Sequence, residues 1–127
     1  MLFHNVIFQS TDTLVKVPES VIKLFNTIEN MLNDITPITT SDQNIPIPEI
    51  YVLDYDNADL FFQYAYQIEQ LTSDQSIQFI IDSTIEPDIL VTYIQLANYL
   101  DYPKYFHTLC SYSSFLLRNY NDYNNVS

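Results

Sequence analysis

The sequence has no glycine, no tryptophan and a single cysteine, and only four of its 127 residues are Lys or Arg. A chain of this length with average composition would hold about nine glycines, at roughly 7%. Their absence excludes the glycine-rich phosphate loops G-x-x-x-x-G-K-[ST] and G-x-G-x-x-G, which need the backbone to approach a nucleotide closely. It also means that any turn requiring positive φ must use Asn, Asp or a costlier residue. The few cations face sixteen Asp and Glu, for a net charge of −12. That balance argues against nucleic-acid binding, which needs a Lys/Arg footprint to replace counterions. Anionic membrane surfaces are disfavoured for the same reason. One thiol, Cys110, cannot form an internal disulfide, which fits a reducing intracellular location. No apolar run approaches the ~18–20 residues of a membrane span. The start MLFHNVIFQS has neither the basic region nor the small-residue cleavage site expected of a signal peptide.

What is present is core material. Hydrophobic residues make up 47% of the chain, with eleven Tyr and eight Phe, enough to fold one domain despite the charge. Val6-Ile7-Phe8-Gln9 and Leu14-Val15-Lys16-Val17 read as two strands joined at Ser10-Thr11-Asp12. Val21, Leu24, Phe25, Ile28, Met31, Leu32 and Ile35 recur at three- and four-residue spacing and predict one helix, opened by Ser20 or by Pro18-Glu19. Residues 36–44 form a polar loop. Ile45-Pro46-Ile47-Pro48 is an edge strand or extended segment, since Pro cannot donate to a ladder.

Residues 54–57 offer an N-cap cluster for a helix with Leu60, Phe61, Tyr64, Ala65 and Ile68 inward. Residues 72–76 are expected to end it, and Ile77–Ile81 to form another strand. Thr84 or Asp82-Ser83 is expected to cap a helix whose stripe is Ile89, Leu90, Tyr93, Ile94, Ala97 and Leu100. Residues 101–103 break it. A last helix runs from Pro103 to about Asn119, with Phe106, Leu109, Cys110, Ser113, Leu116 and Leu117 as its core face. A second stripe, Tyr105, Thr108, Tyr112 and Phe115, is available to the core or to a partner. The domain is expected to span residues 1–119, followed by a disordered polar tail over 120–127.

The residues offer little for catalysis. His107 and Cys110 stand at i, i+3 on one helix, but two ligands do not make a zinc site, which needs four. Nothing orients them as a nucleophile and base. Carboxylate pairs such as Asp54/Asp56 and Glu86/Asp88 read as solvated surface. No metal or cofactor is expected, and the chain is not expected to be an enzyme. The abundance of Tyr points instead to a binding surface, because Tyr combines large area with a polar tip.

Five segments then stand in a fixed order. They are Phe8-Gln9-Ser10-Thr11-Asp12, Thr27–Asp34, Ile45-Pro46-Ile47-Pro48, Phe62-Gln63-Tyr64 and Leu96-Ala97-Asn98-Tyr99-Leu100-Asp101. They resemble L-Q-S-S-D, T-I-K-T-M-L-E-D, V-P-L-P, I-Q-W and A-A-N-Y-L-D of the Skp-type adaptors of cullin–RING (SCF) ubiquitin ligases. The family's Cys nine residues after the last Asp falls on Cys110. The resemblance covers about residues 6–119. Elongin C is a second relative of the same fold, but it stops near its N-F-L-D, whereas this chain continues through another helix.

The resemblance implies an α+β class and a BTB/POZ fold, short N-terminal strands packed with an α-helical cluster. It implies a non-catalytic adaptor bridging a cullin to an F-box-type substrate receptor. By the same likeness, Asn98 and Tyr99 face the cullin, and Tyr105, Leu109, Tyr112 and Phe115 grip the F-box. Family members continue with a P-E-E-I-R segment and a final helix, while nine residues follow Arg118 here. The F-box contact is therefore expected to be weaker than the cullin contact. The alternatives are a self-associating BTB/POZ module, acting as a homodimer, and a decoy that binds cullin without an F-box. Such an adaptor is expected in cytoplasm and nucleus. Heavy use of Ile, Asn, Tyr and Asp fits an AT-rich genome, and a viral copy would divert the ligase of an infected host cell.

Overall fold

Alternation builds the first layer. In a computed structural model that describes residues 2–34 and 44–125, with the side chains of 33, 34 and 120–125 left aside, β1 (Phe3–Phe8) and β2 (Thr13–Pro18) pair antiparallel, with Val6 opposite Val15. Val6, Phe8, Val15 and Val17 point inward and are buried, as the two-residue period of a strand requires. The connecting turn needs a left-handed residue, and Asp12 supplies it at φ 53°. β3 (Ile45–Ile47) adds parallel to β1 on the far side, giving the order β2-β1-β3. Ile45 and Ile47 face the core while Pro46 sits on the sheet edge, where its missing N–H costs no ladder bond.

The expected single helix after the hairpin is two. α1 (Glu19–Ile22) is capped by Pro18 rather than Ser20, and α2 (Asn26–Asp34) restarts three residues later. Between them Leu24 N–H bonds to Val21 carbonyl at 3.0 Å and Phe25 N–H to Ile22 carbonyl at 3.1 Å. These i→i−3 bonds tighten the chain without rotating its apolar stripe away, so Val21, Phe25 and Ile28 all stay buried. Ile35 and residues 36–43 of the expected loop lie outside the described residues.

α3 (Tyr55–Glu69) is capped as expected, the Asp54 carboxylate accepting the Asn57 N–H at 3.0 Å. Ala58, Phe61, Phe62, Ala65 and Ile68 form its buried face, with Leu60 and Tyr64 only partly covered. The segment read as a terminator and a strand is a helix, α4 (Ser73–Ser83). The cause is a capping box: Thr72 Oγ1 accepts from Gln75 N–H at 3.2 Å, and Gln75 Oε1 accepts from Thr72 N–H at 3.0 Å. Two satisfied helix-end donors outweigh the strand preference of Ile77–Ile81. Thr84 ends α4 in the left-handed conformation (φ 49°), so it does not open the next helix. That helix, α5 (Pro87–Leu100), starts from Glu86 with Pro87 in its first turn. It ends at Asp101, again left-handed at φ 64°.

α6 (Pro103–Asn125) continues past the expected end at about Asn119. The expected tail is thus helical through Asn125, and Val126 and Ser127 lie outside the described residues. The helix also packs on the stripe beside the expected one, the two sharing the buried Leu109. Tyr105, Thr108, Leu109 and Tyr112 are buried, whereas Phe106, Cys110, Ser113 and Leu116 are half-buried and Leu117 is 62% exposed. Tyr105 is suited to the interior because its hydroxyl donates to the Phe61 carbonyl at 2.8 Å while its ring lies 5.0 Å from that of Phe61.

Three core hydroxyls make stability depend on alkaline pH. Burial above all pushes Tyr93 and Tyr105 well above the usual value near 10, and burial together with the hydrogen bond to Glu69 does the same for Tyr102. The folded chain keeps these protons where the unfolded chain releases them, so stability is full below about pH 10 and falls as pH rises above it. Tyrosinate absorbance from these residues is expected to appear together with loss of helical circular dichroism; complete titration of all tyrosines in a still-folded protein contradicts this. Thr72→Ala is expected to cost about 1 kcal/mol in denaturant unfolding by removing the α4 cap.

Candidate protein-docking site

The corner between α5 and α6 brings chemistry-bearing side chains to the surface. Within Leu96–Asp101 the helix period sends Leu96, Ala97 and Leu100 into the core and leaves Asn98 and Tyr99 outside, with Tyr99 39% exposed. Asp101 then turns the chain sharply. Its carbonyl accepts the Asn26 N–H at 3.1 Å, and its carboxylate accepts from Asn26 Nδ2 at 3.3 Å. Thr27 Oγ1 donates to the Tyr99 carbonyl at 2.9 Å. The first turn of α2 is therefore bonded to the end of α5.

The segment between β3 and α3 forms the other side of this surface. The Tyr51 ring lies 5.4 Å from that of Tyr99. Burial, with Tyr99 beside it, pushes the Tyr51 hydroxyl upward. The hairpin turn holds this segment in place, since Ser10 Oγ donates to the Tyr51 carbonyl at 3.0 Å and Thr11 Oγ1 to the Leu53 carbonyl at 2.9 Å. Ile50, Val52 and Tyr55 stand 76%, 59% and 54% exposed along it. On the α6 side a cavity of about 230 Å3 opens beside Asn98, lined by Asp101, Tyr102, Phe106 and His107.

Charge around the corner is predominantly negative, with Lys23 before α2 and Lys104 in the first turn of α6 as the nearby cations, the Lys104 ammonium donating to the Leu71 carbonyl at 2.7 Å. Asp12, Glu49, Asp54, Asp56 and Asp101 are all exposed, and residues 24–103 contain no Lys or Arg. An apolar, aromatic surface rimmed by carboxylates suits a protein segment that brings apolar anchors and cations. The family resemblance points to Asn98 and Tyr99, and residue periodicity adds nothing to them. Both miss Tyr51, Ile50 and Val52, because an irregular segment has no period to reveal which of its residues face outward.

The four α6 residues expected to contact a receptor do not share an exposed face. Tyr105 and Leu109 are fully buried, Tyr112 is 4% exposed, and Phe115 is half-buried with its ring 6.4 Å from that of Tyr112. Tyr105, Leu109 and Tyr112 are core residues, a correction that follows from their burial and, for Tyr105, from its hydroxyl bond to the Phe61 carbonyl. His107 is exposed, and Cys110 is half-buried with its thiol pushed up by burial. That shift keeps the sulfur protonated and poorly nucleophilic. Among the described residues, no three His, Cys, Asp or Glu gather as a metal site, and no helix is long and apolar enough to cross a membrane. A cleft of about 400 Å3 between β2, α1 and α3 is lined by Lys16, Val21, Asp59, Phe62 and Tyr66. No family model matches the chain, and no curated protein matches it.

Exposure decides what substitution should do here. Replacing Asn98 and Tyr99 together by Lys is expected to cost about 1 kcal/mol, chiefly the Tyr51 stack. Leu109→Ala is expected to cost about 2–5 kcal/mol through loss of a buried side chain. Thermal or urea unfolding checks both; similar costs for the two would contradict the assignment of surface and core.

Proposed function

We propose that this chain is a non-catalytic adaptor of the BTB/POZ fold, similar to the Skp-type adaptors, that joins a cullin to a substrate receptor in an SCF-like ubiquitin ligase. One observation carries the reading. The two residues of the L-A-N-Y-L-D segment to which the resemblance gives a cullin contact, Asn98 and Tyr99, are exposed together with Asp101, while Leu96, Ala97 and Leu100 are buried. Helix periodicity accounts for this division, which leaves both residues accessible to a partner. The α+β architecture, with an N-terminal hairpin, a third edge strand and six helices among the described residues, is of the kind the resemblance implies.

The ligase reading assigns the acidic corner a basic cullin surface with an apolar centre. Transfer of ubiquitin belongs to the partners, and the adaptor supplies position alone. Receptor contact in this reading uses the outer side of α6, where Phe106 and Cys110 are half-buried and Leu117 is exposed, since Tyr105, Leu109 and Tyr112 are used in the core. Cytoplasm and nucleus are the compartments such a role requires.

Self-association is a second reading, favoured by Leu2, Phe3 and Leu14, which stand 51%, 47% and 42% exposed at the hairpin. Sedimentation separates the two, a tight dimer at micromolar concentration supporting the second.

The adaptor reading is tested by capture with purified cullin amino-terminal domains and, separately, with an F-box protein. Cullin binding is expected, abolished by Asn98→Lys with Tyr99→Lys, with an association rate that falls roughly tenfold as salt rises to physiological strength. Failure to bind either class of partner overturns the proposal.

A further inference from the structure

Tyr99 is held from two sides by residues that belong to other elements. Its carbonyl lies in the last turn of α5, where four carbonyls have no partner within the helix. The neighbouring turn bonds go to Ala97 and Asn98, whose carbonyls accept from Tyr102 N–H and Asp101 N–H. The Tyr99 carbonyl accepts from the Thr27 hydroxyl at 2.9 Å instead. Asn26, one residue earlier, is bonded through both backbone and side chain to Asp101. On the other side the Tyr51 ring, on a residue 7% exposed, lies 5.4 Å from the Tyr99 ring at an angle of 37°. Ser10 in the hairpin turn in turn anchors the backbone of Tyr51.

We infer that Thr27 and Tyr51 are positioning residues: Thr27 fixes the backbone of Tyr99 and Tyr51 fixes its ring, so that the docking surface is in place before a partner arrives. This rests on the docking role proposed for Asn98 and Tyr99. The physical reason for such a device is that helix ends fray. A docking residue in the last turn of an unsupported helix would have to be ordered on binding, at a cost in affinity. The latch removes that cost by tying the turn to α2 and to the β3–α3 segment. Neither Thr27 nor Tyr51 needs to touch the partner.

The test uses the full chain. Thr27→Val keeps the side-chain shape and removes the hydroxyl; Thr27→Ser keeps the hydroxyl; Tyr51→Leu removes the ring. In the free protein, Thr27→Val and Tyr51→Leu are expected to shift the nuclear magnetic resonance signals of the Tyr99 ring and of the Asp101 amide, and Thr27→Ser to restore them. Binding of a cullin amino-terminal domain is expected to weaken about five- to tenfold in Thr27→Val and Tyr51→Leu, the size of one lost hydrogen bond or stack. Thr27→Ser is expected to bind like the unaltered chain. Unchanged Tyr99 signals in Thr27→Val overturn the inference, as does unchanged affinity with shifted signals. If Tyr51→Leu does not fold, the Val and Ser pair at position 27 decides alone. An unaltered chain that binds no cullin domain overturns the docking reading itself, and the Tyr99 signals then still decide whether the latch exists.

Discussion

Aromatic rings from four separate parts of the chain pack around Phe61 and hold the helices together. Phe61, fully buried on α3, lies 5.0–5.7 Å from the rings of Phe25, Phe62, Tyr93 and Tyr105. Those four come from the link between α1 and α2, from α3 itself, from α5 and from α6. One ring therefore joins nearly every helical layer, and its own carbonyl accepts the Tyr105 hydroxyl. Aromatic residues can do this because each buries a large area and tolerates edge-on as well as stacked neighbours. The tyrosines at this centre are thus part of the fold, and among the described residues only Tyr55, Tyr66 and Tyr99 are exposed tyrosines.

A glycine-free chain has to make its sharp corners another way. It does so with Asp12, Thr84 and Asp101, each in the left-handed conformation that Cβ disfavours. Asp101 is the corner beside the proposed docking surface. Its backbone and carboxylate are both bonded to Asn26, so the cost of the conformation is offset by two contacts that a glycine could not fully replace. The same turn leaves Asn98 and Tyr99 at the surface and sends the next helix back into the core. The missing glycine and the proposed docking surface are connected through this one residue. The excess of carboxylates acts at longer range, setting the sign of the field that an approaching partner meets.

Most of the architecture was legible because periodicity is a physical signal. The hairpin, the Pro46 edge strand, the Asp54 cap and the buried face of α5 follow from spacing and from the chemistry of single residues. The misreadings have specific causes. Ile77–Ile81 looks like a strand until the reciprocal bonds of Thr72 and Gln75 are weighed. Val21–Ile35 looks like one helix because a three-residue tightening preserves its stripe. On α6 two apolar stripes compete, and hydropathy ranks Leu116 and Leu117 above Tyr105 and Tyr112. Only tertiary structure shows that Phe61 offers a carbonyl to Tyr105. Of the site, Asn98 and Tyr99 were legible as letters of a motif. Thr27 was a motif letter without a role and Tyr51 was not one, and the contacts of both with Tyr99 were not legible, since they span separations of 72 and 48 residues.

The α5–α6 corner is proposed to dock a basic protein partner. Mapping the amide signals of the isotope-labelled chain against a cullin amino-terminal domain tests it most directly. Perturbations are expected to centre on Asn98 and Tyr99 and to extend to Asp101 and across Tyr51 to Ile50, with the outer face of the hairpin unaffected. Perturbations confined to the hairpin or to α6 beyond Leu116, or none at all, would contradict docking at this corner.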